Sequence, residues 1–244
     1  MRLDYDQIAR GYDYHRQGGG PYLDTLVRLL ERSPGRRVLE LGAGTGNNTG
    51  AVHDAVPCHV TALEPSQGML DKARGKGVPA HWVRGCATDL PFAAHAFDFL
   101  FATYVLHHIA DLEALLRECV RVLDGGGAAF VTAPLSFIAR HPMNDYFPSF
   151  AAVDLARFQP IEEILDSMEC VGFRHVGAAR HQAEPRPLDA AYVQKVAGKF
   201  ISTFDLLPPG EFEAGLERLR ADVAANQCLG KTITWEAVTV WGFQ

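Results

Sequence analysis

The chain has no run of about 18 apolar residues, the length a helix needs to cross a bilayer. Its opening, Met1 to Arg10, is polar rather than basic-then-apolar, so neither membrane insertion nor secretion is expected. Cysteine is sparse: Cys58, Cys86, Cys119, Cys170 and Cys228 are odd in number, widely scattered and never arranged as C-x-x-C. That argues against a disulfide framework and a zinc knuckle, and predicts reduced thiols in a cytoplasm. Positive charge is also in short supply, with 23 Lys and Arg against 29 Asp and Glu and a formal net charge of −6. A chain held to nucleic-acid phosphates or anionic lipid carries the opposite balance, so no nucleic-acid or membrane partner is expected, and a small neutral or cationic one is easier to accommodate. Internal repeats and low-complexity tracts are missing as well, which excludes solenoids and flexible arrays.

What is present is 244 residues, 48% of them apolar, enough for one domain with a substantial core or one domain carrying an insertion. From Arg37 to Pro134 short apolar runs alternate with longer amphipathic ones, the pattern of βαβ units on a buried parallel sheet. The spacing predicts strands over Arg37–Leu41, His59–Leu63, His81–Val83, Phe97–Phe101 and Ala128–Thr132. Helices are predicted around Asn48–Val56, Gln67–Gly75 and Leu112–Leu123, the last with Asp111 as its N-cap and Gly125-Gly126-Gly127 as its stop. Asp4–Gln17 and Tyr22–Arg32 read as two helices parted by Gly18-Gly19-Gly20-Pro21. Later, Ile161–Cys170 reads as a helix, and Gly172–Arg180 and Thr232–Phe243 as strands. The stretch Gln182–Lys231 is too long for a loop, so it is expected to hold helices over Asp189–Phe204 and Gly210–Gln227 and to form a cap.

The chemistry concentrates at Val38-Leu39-Glu40-Leu41-Gly42-Ala43-Gly44-Thr45-Gly46-Asn47. A strand delivers the backbone to a glycine-dense turn and a helix follows, so a ligand is admitted close to the main chain at the carboxyl edge of the sheet. A dinucleotide fingerprint would need glycine at 47 or 49, where Asn47 and Thr49 stand. Glu64, 18 residues beyond Gly46, closes the next strand, where a carboxylate accepts both hydrogens of a ribose diol. Turn and acid together read as an adenosine site.

These residues, with Ala62–Leu70, Gly85–Phe92, Phe97-Asp98, Leu106-His107-His108, Arg121–Gly127 and the opening Tyr5–Asp13, resemble the class I S-adenosylmethionine-dependent methyltransferases. The likeness is to the ubiquinone/menaquinone C-methyltransferase-like, type 11, branch, over roughly residues 4 to 134. It implies a Rossmann-like α/β fold: a seven-stranded, mostly parallel sheet with helices on both faces and an antiparallel last strand. It also implies S-adenosylmethionine as cofactor, S-adenosylhomocysteine as product and a small-molecule acceptor. Residues 1–244 would then be one domain: N-terminal helices 1–35, a cofactor-binding core 36–134, the second half of the sheet 135–181, the cap 182–231 and the last strand 232–244.

Carried over, the family pattern sets Gly42, Ala43 and Gly44 under the methionine part of the cofactor, with Glu40 near its amino group and Glu64 on the ribose. Pro65 and Met69 would pack on adenine, and Thr103 would lie beside the sulfonium. Tyr5, Tyr12 and Arg16 would close over the amino-acid end. Cys86 stands where the family commonly has an Asp that accepts the adenine amino group; cysteine is a poor acceptor, so recognition is expected to shift to the backbone at Ala87 and to Thr88 or Asp89.

Because a sulfonium methyl is already electrophilic, a dedicated base is optional; for a hydroxyl, phenol or acidic carbon a histidine is the natural proton acceptor. His107 is the first candidate, followed by His108, His141 and Tyr12. His107-His108 with Asp111 lacks a third ligand at a recognisable spacing, so no metal is expected. The aromatics Tyr146, Phe147, Phe150, Phe158, Tyr192, Phe200, Phe204 and Phe212 suit either an acceptor pocket or a core. Two other classes stay open: a nicotinamide-dependent oxidoreductase sharing the sheet and Glu64, and a non-catalytic protein that binds S-adenosylmethionine.

Overall fold

The computed structural model describes residues 3–14 and 18–244. The chain opens with a one-turn helix, α1 (Tyr5–Ile8), that continues as a 3-10 segment, Ala9–Tyr14, where a single longer helix was expected. Asp4 caps α1 by accepting from the Asp6 and Gln7 N–H groups. This stretch has no sustained apolar stripe, so it takes its shape from what it lies on rather than from its own periodicity. Arg16 and the end of the expected helix lie outside the described residues.

Next come α2 (Leu23–Glu31), β1 (Arg37–Leu41), α3 (Asn47–Ala55), β2 (His59–Glu64), α4 (Gln67–Gly75), β3 (His81–Arg84) and β4 (Phe97–Thr103). Asp111 caps α5 (Leu112–Val122) through the Ala114 N–H at 2.9 Å, and β5 (Leu123–Thr132) follows. α6 (Leu135–Arg140), α7 (Phe150–Leu155) and α8 (Ile161–Cys170) lead to β6 (Arg174–Gln182). A two-residue β7 (Arg186–Pro187), α9 (Ala190–Ala197), α10 (Glu211–Ala224), β8 (Thr232–Ile233) and β9 (Glu236–Phe243) complete the chain.

Seven strands form one sheet in the order β3-β2-β1-β4-β5-β9-β6. β1 to β5 are mutually parallel, and β9 runs antiparallel to both β5 and β6. This is the expected Rossmann-like α/β arrangement. The strand order reverses between β1 and β4, and open sheets of this kind bind ligands beyond the carboxyl ends of such a pair. β4 is buried along its whole length, so side chains that emerge at its end have a rigid base.

Gly125-Gly126-Gly127 do not end a helix; they lie inside β5. A Cβ on Gly126 would sit 1.7 Å from the Asp98 carbonyl oxygen, and one on Gly127 would sit 2.6 Å from the Phe243 ring. Glycine is there to let backbones approach. The expected last strand is divided: Thr232–Ile233 pairs with β7 in a separate ribbon, and β9 starts at Glu236.

Within 135–181 only β6 joins the sheet. Met143, Tyr146, Phe147 and Phe150 instead pack with Tyr192, Phe204 and Phe212 from the 182–231 stretch, forming a second apolar core outside the main one. No helix among the described residues is long and apolar enough to cross a membrane. Gly126→Ala should lower stability by about 2 kcal/mol through overpacking, a fall in Tm of roughly 4–8 °C for a domain of this size, read by calorimetry.

Candidate active site

β1 hands the chain to a turn in which Gly42, Gly44 and Gly46 all have left-handed φ, +64°, +56° and +79°. An L-residue is strained at such angles, which is why the turn is glycine-dense. The Ala43 N–H donates to the Leu63 carbonyl at 3.0 Å and ties the turn to β2. A Cβ on Gly42 would strike Val105 at 2.5 Å, whereas on Gly44 it would meet only the Tyr12 side chain, nearest at 3.7 Å. The open part of the turn is therefore at Gly44, with Tyr12 above it.

Glu64 ends β2 and reaches back to this point. Its two carboxylate oxygens accept from the Gly44 N–H and the Ser66 N–H, each at 2.9 Å. Only 6% of the residue is exposed, and burial pushes its pKa up against the pull of those two donors. Glu40 lies deeper, with no accessible surface. One of its oxygens accepts from the Thr49 hydroxyl at 2.5 Å; the other, Oε1, has no partner among the described residues. Burial pushes the Glu40 pKa up to about 8, with the Glu64 charge adding to the effect. A fully buried carboxyl with an unmatched oxygen is the donor set a cation requires, so these residues fit a ligand carrying an ammonium group next to a ribose.

Thr103 at the end of β4 accepts from the Asn48 amide at 2.6 Å, and Asn48 Oδ1 accepts from the Gly19 N–H and the Tyr22 hydroxyl. The N-terminal segment then lies across the turn. Asp6 accepts from the Ser66 hydroxyl at 2.5 Å and the Gly68 N–H at 2.9 Å at the start of α4. Asp13 accepts from the Thr45 hydroxyl (2.5 Å), the Asn47 amide (3.1 Å) and the Lys76 ammonium (2.8 Å). Burial acts to raise the Asp13 pKa, but Lys76 and these hydrogen bonds hold it below the usual carboxylate range. Asp6, Asp13, Asn48 and Lys76 were not singled out from the sequence. Their partners are 26 to 63 residues away, and no local pattern encodes such pairings.

The remaining candidates divide. Met69 is buried on α4, while Pro65 is exposed and its carbonyl accepts from Arg84. Cys86 is exposed, its thiol 3.2 Å from the Thr88 hydroxyl, and Ala87 beside it is buried. Tyr5 bonds to His108 Nε2 at 2.8 Å, so the N-terminal segment reaches the histidine pair. His107 is half-buried, stacked on Phe158 at 4.2 Å between centroids and 4.0 Å from the His108 ring. His141 is only 3% exposed and sits in another aromatic group, beside Phe137 and Phe150. Its Nδ1 accepts from the Met143 N–H at 3.2 Å, and burial pushes its pKa down to about 4. The nitrogen that would take a proton is thus already occupied. Among the described residues no three His, Cys, Asp or Glu groups gather as metal ligands do.

A family model described as a methyltransferase domain matches residues 39–131. A demethylmenaquinone methyltransferase from Corynebacterium kroppenstedtii is 34% identical over 128 residues, 50% of this chain and 55% of that protein. A malonyl-[acyl-carrier protein] O-methyltransferase from Serratia marcescens is 30% identical over 156 residues, 62% of this chain and 58% of that protein. The chain therefore spans little more than half the length of these curated relatives. The crystal structure of a putative methyltransferase from an antibiotic biosynthesis pathway of Anabaena variabilis superposes with a TM-score of 0.73 at 25% identity, over 91% of this chain and 96% of that one. The glycine turn, the two acids that converge on it and these matches agree: residues 39–131 are a methyltransferase domain of the class I, S-adenosylmethionine-dependent kind.

Proposed function

We propose that the chain transfers the methyl group of S-adenosylmethionine by in-line displacement to a small-molecule acceptor with an aromatic or apolar body. One observation carries the reading: the open turn at Gly44, the Glu64 carboxylate and the unmatched Glu40 oxygen meet at the carboxyl end of β1 and β2. When bound, the cofactor supplies a methyl made electrophilic by its sulfonium. The chain's residues position it. Gly42, Ala43 and Gly44 floor the amino-acid end, Glu40 balances the ammonium, and Tyr12 closes above. Glu64 takes the ribose hydroxyls, and Thr103 stands beside the sulfonium. Met69 and Pro65 flank the adenine, with Ala87, Thr88 and Cys86 along its edge.

On the acceptor side, His107 takes a proton from nucleophiles that must lose one, and its stacking on Phe158 fixes the ring for that role. The second core packs the 182–231 segment as a unit against 143–150, which suits a cap that excludes water and selects the acceptor. Holding nucleophile and methyl in line at about 3 Å supplies most of the acceleration, several kcal/mol of entropy already removed on binding. The reading is tested by incubating the protein with isotope-labelled S-adenosylmethionine and a metabolite extract. A labelled product in the mass spectrum is expected; no transfer to any component counts against catalysis.

Glu64→Gln should weaken S-adenosylhomocysteine binding roughly 10- to 100-fold, the worth of a charged hydrogen bond, measured by calorimetry. His107→Ala should lower turnover by roughly 100-fold or more while cofactor affinity changes little; equal losses in both would remove its assignment as base. Glu40 gives a pH signature. Its folded pKa of about 8 lies above the unfolded value of 4.5, so the folded state holds the extra proton between those limits. Stability of the ligand-free protein then falls as pH rises through that window. Glu40→Gln should flatten the fall, which amounts to roughly 4 kcal/mol by pH 8, while S-adenosylmethionine binding weakens; thermal melts from pH 5 to 8 with and without the ligand read both.

A further inference from the structure

The N-terminal segment is bonded near both ends of α4. Ser66 is the N-cap of that helix, and Asp6 accepts from its hydroxyl and from the Gly68 N–H. Lys76 is the C-cap, and its ammonium donates to Asp13 at 2.8 Å. At a helix start, free backbone N–H groups and the dipole hold a carboxylate; at a helix end neither does, so the hold on Asp13 comes from the Lys76 side chain.

That end is the more heavily bonded of the two. The Lys76 ammonium also donates to the Thr45 hydroxyl at 2.9 Å and to Asn47 Oδ1 at 2.6 Å, so all three of its hydrogens have acceptors. Thr45 and Asn47 in turn donate to the same Asp13 oxygen, at 2.5 and 3.1 Å. One cation thereby ties together the N-terminal segment through Asp13, the glycine turn through Thr45 and the start of α3 through Asn47. Thr45, between Gly44 and Gly46, is 1% exposed, whereas the side chains of Asp13 and Lys76 are 33% and 29% exposed. The turn end of this knot is buried and the ion pair faces water, so the ion pair is the part that can open. Tyr12 precedes Asp13 in the same 3-10 segment, and its hydroxyl stands 3.7 Å from where a Gly44 Cβ would be. Lifting Tyr12 off the turn therefore draws Asp13 away from Lys76.

We propose that Lys76 is a positioning residue for the cofactor: through Asp13 it holds Tyr12 over Gly44, and opening of the Asp13–Lys76 contact sets how fast S-adenosylmethionine enters and S-adenosylhomocysteine leaves. The proposal rests on the methyl-transfer reading above and deepens it by naming what controls exchange at that site. A ligand whose amino-acid end lies on Gly44 is beneath Tyr12, so it departs only when Tyr12 moves. Lys76 has no hydrogen left for that ligand and acts on it through Asp13 and Thr45. Because the contact is made wholly of protein groups, it closes over an empty cleft as well as a filled one. Its loss therefore speeds arrival as well as departure, which distinguishes a gate from a lost ligand contact.

Surface plasmon resonance on the immobilised full chain, with S-adenosylhomocysteine as the probe, reads both rates. Lys76→Met, which keeps an aliphatic stem and removes the charge, should raise the dissociation rate about tenfold or more and the association rate about threefold or more, so that Kd moves less than the dissociation rate. Asp13→Asn should act in the same way. The double variant should be no more than about twofold faster than the faster single one, because both substitutions break one contact. Raising sodium chloride from about 0.1 to about 1 M, which shortens the screening length from about 10 to about 3 Å, should speed dissociation from the wild type and not from Lys76→Met. An unchanged dissociation rate in Lys76→Met, faster dissociation with association unchanged or slowed, effects of the two substitutions that multiply, or an equal salt response in wild type and variant overturns the proposal while leaving methyl transfer standing. Should Lys76→Met not fold, Asp13→Asn decides alone. A wild-type protein that does not bind S-adenosylhomocysteine overturns the methyl-transfer reading and this proposal with it, and that first measurement tells the two failures apart.

Discussion

The site depends on one carboxylate grasping one backbone amide. Glu64 bonds to the Gly44 N–H and so fixes a turn that glycine alone would leave loose. Three glycines in the left-handed region are entropically expensive to order, and a charged acceptor at their centre, on the end of a buried strand, offsets part of that cost. The arrangement also brings the Glu64 charge close enough to add to the cost that burial sets on ionising Glu40. A cation beside Glu40 removes that penalty. The cleft is thus poised for a positively charged ligand by its own unfavourable electrostatics, and the N-terminal segment, bonded through Asp6 and Asp13, lies over the same place.

Much of this was legible in the sequence because it is local. β1, α4 and α8 begin and end where periodicity and caps place them, and Asp111 caps α5 as its position before Leu112 indicates. The turn and Glu64 were legible because strand, glycines and acid occur in a fixed short order. The antiparallel last strand and seven-stranded sheet followed from resemblance, since no pattern inside Glu236–Phe243 records which strands it enters between.

What was not legible is long-range or steric. Gly125-Gly126-Gly127 looks like a helix stop; inside the strand Gly125 is explained by its left-handed φ of +65°, Gly126 by the nearness of the Asp98 backbone and Gly127 by that of the Phe243 ring. The segment 143–150 carries apolar residues that fit either core, and its choice of the second one depends on partners some 45 to 70 residues later. His141 looked like a base from its place after the fifth strand. Its burial and the Met143 N–H make it a neutral donor, a distinction that resides in which ring nitrogen is occupied.

Two buried groups of opposite kinds stand out. Among the described residues, Glu40 Oε1 beneath the glycine turn has no donor, and His141 Nε2, in the aromatic group beside Phe137 and Phe150, has no partner. Buried polar atoms left unmatched cost stability, and a chain gains nothing from them unless something else completes them. Thr103 ends β4, and the rigidity of that strand's buried length fixes where its side chain stands relative to the glycine turn. A sheet strand, rather than a loop, is the element suited to holding a side chain at a fixed place beside a ligand site.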